Sequence, residues 1–168
     1  GILANPLVGP AIPDILEAFD QPDSRAGLFV AAGTLPGIVM APVIGVLADR
    51  FGRRAVLVPC LTAFGAFGLL SALAPTFQIL LGLRLLQGIG SAGLINLAVV
   101  LLGDHWTGLE RARLVGQNAA VLTLSLAIFP PIGGLLTEIG GWRLSFAPYA
   151  IGLATAVLIF RRLDPARP

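Results

Sequence analysis

Arg84 is the only charged residue that lies well inside a long apolar segment of this sequence. A guanidinium placed within a membrane costs at least ~2.5 kcal/mol unless it faces a cavity or a partner. Gln87 and Ser91 follow at i+3 and i+7, so a helix places the three side chains on one face. This stripe indicates a cavity in which Arg84 contacts a substrate or couples its movement to protons. The alternative is a structural arginine that reaches toward the membrane surface or bonds backbone carbonyls.

A second stripe of the same helix carries small residues. Gly88 and Ala92 predict close contact with a neighbouring helix. Elsewhere in the apolar segments, the polar residues that are candidates for lining a central cavity are Asn5, Gln117, Asn118 and Thr123. Each of these four is equally consistent with a single interhelical hydrogen bond, worth about 0.6 kcal/mol.

The string FPPIGG (129–134) combines two prolines with two glycines. Pro130 and Pro131 lack an N–H donor, so we expect them to break their helix locally and to free backbone carbonyls. Together with Gly133 and Gly134, they predict a bend and a site of close helix packing.

The string GVLADRFGRR (45–54) places one acid among arginines at the end of an apolar segment. Its first glycine allows another helix to approach closely, and its second allows a tight reversal of the chain. We interpret the charges as a latch whose acid and guanidiniums pair differently in two conformations. The alternative is an anchor at the membrane surface. The residues of this string that carry the hypothesis are Gly45, Asp49, Arg50, Gly52, Arg53 and Arg54.

Other kinds of chemistry find little support in the sequence. The only cysteine is Cys60 and the only histidine is His105, so neither a disulfide nor a cluster of metal ligands is expected. No glycine-rich nucleotide loop and no Ser/His/Asp set is present, and serines without a base are not nucleophiles. No basic arm with interleaved aromatics could follow a nucleic-acid backbone. We therefore expect neither an enzyme nor a metal, cofactor or nucleic-acid partner.

The elements that must position these residues are membrane helices. Of 168 residues, 56% are hydrophobic and 12% are charged, about half the charged fraction of a soluble domain. A membrane-spanning helix needs about 20 mostly apolar residues. We predict an all-α, polytopic bundle of six segments, the first of which is short and looks truncated. The predicted segments are 1–13, 26–48, 55–74, 77–102, 114–137 and 144–160.

The arginines predict the orientation of this bundle. If the six segments alternate, eight arginines in 49–54, 103–113 and 161–167 fall on one side, and only Arg25 and Arg143 fall on the other. Cytoplasmic loops of membrane proteins carry the excess of positive charge. We therefore expect a multi-pass protein of the cytoplasmic (inner) membrane, with both ends in the cytoplasm.

The chain also contains a repeat at a shift of 89 residues. Segment 34–54 aligns with 123–143, with seven identities in 21 positions, and Asp49 falls over Glu138. The shift moves the second predicted segment onto the fifth, so the two copies cross the membrane in opposite directions. Inverted repeats of three plus three helices are typical of secondary transporters. The copies are predicted at about 1–74 and 77–160.

The spacing G-x-x-x-D-R-x-G-R-R at 45–54 resembles the loop between helices two and three in the major facilitator superfamily of transporters. Three more strings are similar to motifs of the fourth, fifth and sixth helices of that family, in order: LGLRLLQGIGSAG (81–93), FPPIGG (129–134) and GWRLSF (141–146). The resemblance covers essentially the whole chain and implies a coupling role for Arg84. Two positions depart from the antiporter form of the fifth-helix motif, because Ser125 and Phe129 stand where it has glycines.

We therefore interpret residues 1–168 as the N-terminal six-helix half of a drug/proton-antiporter-like transporter. The resemblance implies a second six-helix half, or a second copy, around a central cavity in the lipid bilayer. The expected function is proton-coupled efflux of a small organic solute by alternating access. The alternatives are uptake of a nutrient or organic anion by the same fold, and a non-transporting membrane scaffold or regulatory subunit.

Overall fold

The computed structural model of the chain describes residues 4–105 and 108–162, with the side chains of 6–53, 55–94 and 108–158. Most residues in these ranges are helical, and none of them lies in a strand. The helices are α1 (Ala4–Val8), α2 (Ile12–Ala18), α3 (Ala26–Phe51), α4 (Arg53–Ser71), α5 (Phe77–His105), α6 (Gly108–Gly140) and α7 (Tyr149–Arg162). A single 3-10 turn joins α1 to α2, so the described chain has six helical segments. The prediction of an all-α, six-helix bundle is confirmed.

Three of these segments are long and apolar enough to cross a membrane: Asp23–Phe51, Phe77–Leu94 and Gly108–Gly140. A fourth, Ala55–Ser71, is apolar but shorter. Helices are the natural solution for such a composition, since they satisfy every backbone N–H and C=O group within the segment.

The first segment differs from the prediction, which ended it at Pro13. The helix continues to Ala18, because Pro13 lies in the first turn of α2, where its missing N–H is not needed. The chain stops being helical where Asp20 adopts φ +50° and the N–H of Gln21 bonds the carbonyl of Leu16 at 2.8 Å. This is a Schellman-type C-cap.

The predicted break at the two adjacent prolines is wrong. α6 is continuous through Pro130 and Pro131, just as α3 is continuous through Pro36 and Pro42. Each proline removes one N–H donor but leaves the backbone free to follow a helical path. Membrane helices tolerate this because neighbouring helices and small local adjustments satisfy the freed carbonyls.

Helix α5 is central to the packing and contacts both α3 and α4, while α7 packs on α4. Glycines bring these backbones together. A Cβ atom built on Gly90 of α5 would lie 2.8 Å from the carbonyl oxygen of Cys60 in α4. One built on Gly65 of α4 would lie 2.7 Å from the backbone nitrogen of Leu153 in α7. Small residues at such contacts allow the close packing on which membrane helices depend.

The buried apolar core lies toward one end of the bundle, where α2 ends and where α5 and α7 begin. We call this the core end. It includes Trp142–Phe146, a short 3-10 helix between α6 and α7. The rings of Phe19 and Trp142 lie 5.5 Å apart, and those of Phe19 and Phe77 lie 6.3 Å apart. α6 packs mainly against this 3-10 helix and against α1, so its remaining length is largely exposed.

The contact between α1 and α6 depends on Gly133. A Cβ atom at Gly133 would overlap the backbone carbonyl of Leu7, which cannot rotate away. We therefore expect Gly133→Ala to destabilise the protein by about 2 kcal/mol, as overpacking of a core does. The thermal unfolding midpoint in detergent, followed by tryptophan fluorescence, measures the loss.

Gly134→Ala is the matched control, because the nearest atom to its Cβ position is the Cβ of Pro10, at 3.8 Å. Its midpoint should stay close to that of the unmodified chain. Equal losses in the two variants would mean that glycine flexibility matters at this site, and not the contact with Leu7.

Candidate functional site

The guanidinium of Arg84 lies in an aromatic box inside the bundle. Its side chain is 0% exposed. The guanidinium carbon lies 4.6 Å from the ring centre of Phe29 in α3 and 5.2 Å from that of Phe146 in the 3-10 helix. Ring faces carry partial negative charge and attract a cation most strongly when water is excluded. The rings therefore replace part of the stabilisation that the guanidinium would receive from water if it were exposed.

Hydrogen bonding satisfies the guanidinium only in part. Nη1 of Arg84 donates to Oε1 of Gln87 at 3.0 Å, across one helical turn. Nε and Nη2 of Arg84, and Nε2 of Gln87, are buried and have no hydrogen-bond partner among the described residues. The side chain of Tyr149 in α7 also interacts with the guanidinium of Arg84, both electrostatically and through a hydrogen bond. Within the described chain, no carboxylate pairs with this buried cation.

An arginine in this state can do a particular kind of chemistry. A desolvated cation with unpaired N–H donors attracts a carboxylate or another electron-rich group far more strongly than an exposed arginine does. It holds no proton that it can release near neutral pH, because guanidinium groups stay protonated in proteins. The site is therefore suited to binding or switching.

Ser91 lies one helical turn beyond Gln87 and does not join the aromatic box. Its hydroxyl donates to the carbonyl of Gly88 at 2.7 Å, and its oxygen would lie 2.9 Å from a Cβ atom on Gly37. A Cβ atom on Gly88 would lie 3.0 Å from the carbonyl oxygen of Gly33. With Ala92, also buried, these residues form the close contact between α5 and α3. Ser91 therefore belongs to the contact surface between α5 and α3.

The candidates on α6 are not brought together with Arg84. Gln117 and Thr123 are exposed and Asn118 is half-buried. Thr123 donates to the carbonyl of Ala119 in its own helix at 3.0 Å. Asn5 lies in α1, and its side chain is outside the described residues. No described contact links any of these four residues to the aromatic box.

The fifth-helix string contributes to packing through its glycines. Gly133 abuts the backbone of Leu7, and Gly134 faces Pro10 at a distance that leaves room for a Cβ atom. Pro130 is half-buried and Pro131 is exposed. The close-packing part of that expectation thus has a physical basis in the contact with α1.

The string 45–54 forms the corner between α3 and α4. Gly52 adopts φ +90°, a conformation that side-chain-bearing residues rarely reach, and the reversal of the chain depends on it. Asp49 and Arg50 are exposed, and the Arg50 guanidinium lies 5.6 Å from the ring centre of Phe51. Arg53 is half-buried, and the side chain of Arg54 is outside the described residues. A Cβ atom on Gly45 would meet open space, so no described helix approaches it.

Sequence reasoning missed the residues that surround Arg84. Phe29, Phe146 and Tyr149 come from three different elements, and Gly68 of α4 makes room for both Tyr149 and Gln87. The signal that could have found Tyr149 is composition, since it is the only tyrosine in the chain. The two phenylalanines carry no such signal.

A separate groove lies between α4 and α7. It has a volume of about 610 Å³ and is lined by apolar side chains and by Thr62. The Thr62 hydroxyl donates to the carbonyl of Val58 in its own helix at 2.9 Å, so it offers no free donor to a ligand. Among the described residues, no group of three His, Cys, Asp or Glu side chains could hold a metal ion. The aromatic box around Arg84 is therefore the strongest candidate site.

Several known transporters are similar to this chain. It is 32% identical over 159 residues to the multidrug transporter protein MdtP of Bacillus subtilis, a match that covers 94% of this chain and 29% of the relative. It is 29% identical to the bacillibactin exporter of the same organism, covering 81% of this chain and 36% of the relative. It is 28% identical to the multidrug transporter AQR1 of Candida glabrata, a match that covers 97% of this chain and 28% of the relative.

The chain thus spans roughly a quarter to two-fifths of the length of the relatives it matches. A sequence profile covers it almost completely, from residue 2 to residue 168. That profile describes a family of membrane transporters, in agreement with the six-helix bundle and its apolar spans. The chain belongs to the Major Facilitator Superfamily.

Proposed function

We propose that this chain is the N-terminal six-helix half of a secondary transporter that exports a small organic solute in exchange for protons. The observation that carries the proposal is the buried Arg84, with unpaired N–H donors and no described carboxylate partner. Family membership favours transport over catalysis. Export is supported by relatives whose names describe them as exporters or multidrug transporters.

A buried cation can couple proton movement to a conformational change without releasing a proton itself. A carboxylate or other anionic group that approaches Arg84 in one conformation stabilises that conformation. Protonation of the carboxylate removes its charge and weakens the attraction, so the conformational equilibrium shifts. Gln87 and the aromatic rings keep the guanidinium in place throughout.

The partner that closes the transport pathway is a second six-helix half or a second copy of this bundle. The exposed length of α6, with Gln117 and Thr123 on it, is available to line a cavity shared with that partner. Polar cavity residues on α6 would contact the solute there, while Arg84 acts from inside the bundle. Asn5 and Asn118 are proposed for the same cavity.

The corner 45–54 acts in this proposal as a latch on the cytoplasmic side. The excess of arginines around 49–54, 103–113 and 161–167 supports this orientation. In this proposal the protein lies in the inner membrane, and both ends of the chain are in the cytoplasm. The exposed Asp49 is free to pair with the partner when the cytoplasmic side closes.

Replacing Arg84 should separate transport from folding. Arg84→Met keeps an unbranched side chain between the rings of Phe29 and Phe146 but removes the charge. We expect the thermal midpoint to be unchanged or higher, since apolar replacements of buried charges are often neutral or stabilising. Ethidium efflux driven by a pH gradient, measured in proteoliposomes with the natural gene product, should fall at least ~10-fold. Retained flux in a folded variant would remove Arg84 from the mechanism.

Arg25→Met is the control, because Arg25 is exposed and outside the helical bundle's interior. It should transport like the unmodified protein. Flux that runs only inward would favour uptake of a nutrient or organic anion. A protein that moves no solute in any gradient, yet forms a stable complex with another membrane protein, would favour a scaffold or regulatory subunit.

Asp49→Asn tests the cytoplasmic latch. Because Asp49 lies at a corner and far from Arg84 along the helices, its loss should change the balance of conformations and leave solute contacts intact. We expect turnover to fall about 10-fold, with substrate affinity changed less than about twofold. Equilibrium binding and initial flux rates give the two numbers. Lost affinity with unchanged turnover would contradict the latch, and Asp23→Asn at the other end of α3 is the control.

A further inference from the structure

Helices α3 and α6 end in the same way, at positions related by the shift of 89 residues. α3 ends at Phe51 and α6 at Gly140, and a glycine follows each. Gly52 has φ +90° and ψ 141°, and Gly141 has φ +72° and ψ 174°. The next helical element begins directly after each of these glycines. Two corners of the molecule therefore have nearly the same backbone conformation.

The similarity continues into the helices. Thr34 donates to the carbonyl of Val30 at 2.9 Å, and its equivalent Thr123 donates to that of Ala119 at 3.0 Å. Pro42 and Pro131 occupy equivalent positions inside α3 and α6. The pairs Thr34/Thr123 and Pro42/Pro131 are identities of the aligned segments, and the structure adds that the two threonines make the same hydrogen bond.

Each corner exposes one acid at the same position. Asp49 comes three residues before Gly52, and Glu138 comes three residues before Gly141. Both carboxylates are on the surface. Three helices, α4, α5 and α6, cross the bundle between the two corners, and an odd number of crossings places the corners at opposite ends. The corner with Glu138 is at the core end.

The corner with Glu138 is held firmly by contacts within this chain. Nε of Arg143 donates to the carbonyl of Ala72 at 3.0 Å, beyond the end of α4, and its guanidinium lies 4.6 Å from the ring centre of Trp142. Beneath the corner, the hydroxyls of Thr137 and Ser145 lie 2.7 Å apart, and both contact the carbonyl of Gly133. The corner is thus a rigid support that presents Glu138 outward.

We propose that Glu138 is the acid of a second latch, which closes the outer end of the transporter as Asp49 closes the cytoplasmic end. The inference rests on the proposed function, because a latch has meaning only for a protein that alternates between two conformations. The partner of Glu138 is a basic or N–H-donating group on the second half, which meets the corner when the outer side closes. The two latches act on one equilibrium with opposite sign.

The opposite effects of the two latches on the conformational equilibrium can be tested. Hydrogen–deuterium exchange is measured on the natural gene product in nanodiscs, without substrate. Glu138→Gln should raise exchange roughly fivefold at residues 71–76 and 140–146, and lower it at 48–54, a size typical of coupling between sites. Asp49→Asn should produce the reverse pattern. In the double variant the two shifts should cancel, because both act on one equilibrium.

Glu17→Gln is the matched control, since Glu17 is an exposed acid of α2 at the same end of the bundle but outside the aligned segments 34–54 and 123–143. It should leave exchange unchanged at both ends. The second latch is overturned if Glu138→Gln behaves like Glu17→Gln, shifts exchange in the same direction as Asp49→Asn, or changes only the core end. The second latch is supported if Glu138→Gln and Asp49→Asn change exchange in opposite directions at both ends of the bundle.

Failure of this inference can be told from failure of the proposed function. The exchange pattern needs no substrate, whereas the proposed function is judged by flux driven by a pH gradient. Flux without the mirrored pattern refutes the second latch alone. A mirrored pattern without flux of any solute supports the two latches and refutes proton-coupled export.

Discussion

The charge of Arg84 must be stabilised between two phenyl rings, and much of the surrounding packing follows from this requirement. The rings belong to α3 and to the 3-10 helix before α7, so the guanidinium draws together elements that are distant in the sequence. Gly68 is small enough to admit both Gln87 and Tyr149 beside it. The aromatic contacts of the core end then surround the site and exclude water. Burying an arginine that has so few hydrogen bonds makes folding less favourable. Its presence therefore argues for a functional role.

The elements of the fold could be predicted from the sequence to a large extent, because hydropathy and length alone identify membrane helices. Their ends were harder to predict. The first segment was predicted to end at residue 13, but Pro13 lies in the first turn of α2, where a proline is tolerated, and the actual end depends on the positive φ of Asp20. Likewise, Pro130 and Pro131 were expected to interrupt α6, but the bundle supports the helix across them.

The candidate site could be predicted only where its residues share one helix. Arg84 and Gln87 were identified because a spacing of three residues places them on one face, and their hydrogen bond has that geometry. Phe29, Phe146 and Tyr149 reach the site through tertiary packing, for which the sequence has no local period. Ser91 shows the limit of periodicity, since it has the right spacing but lies in the contact between α3 and α5.

The length of α6 has a consequence for the membrane around the protein. Its 33 residues extend about 50 Å, whereas the hydrocarbon layer of a bilayer is about 30 Å thick. Membrane helices rarely tilt by more than about 40°, and even then α6 would exceed that thickness by nearly 10 Å. At least one end must therefore lie among the lipid headgroups. The first turns, with exposed Glu110, Arg111 and Arg113, are suited to that layer. Headgroup charge and ionic strength would then act directly on the same helix that carries the Glu138 corner at its opposite end.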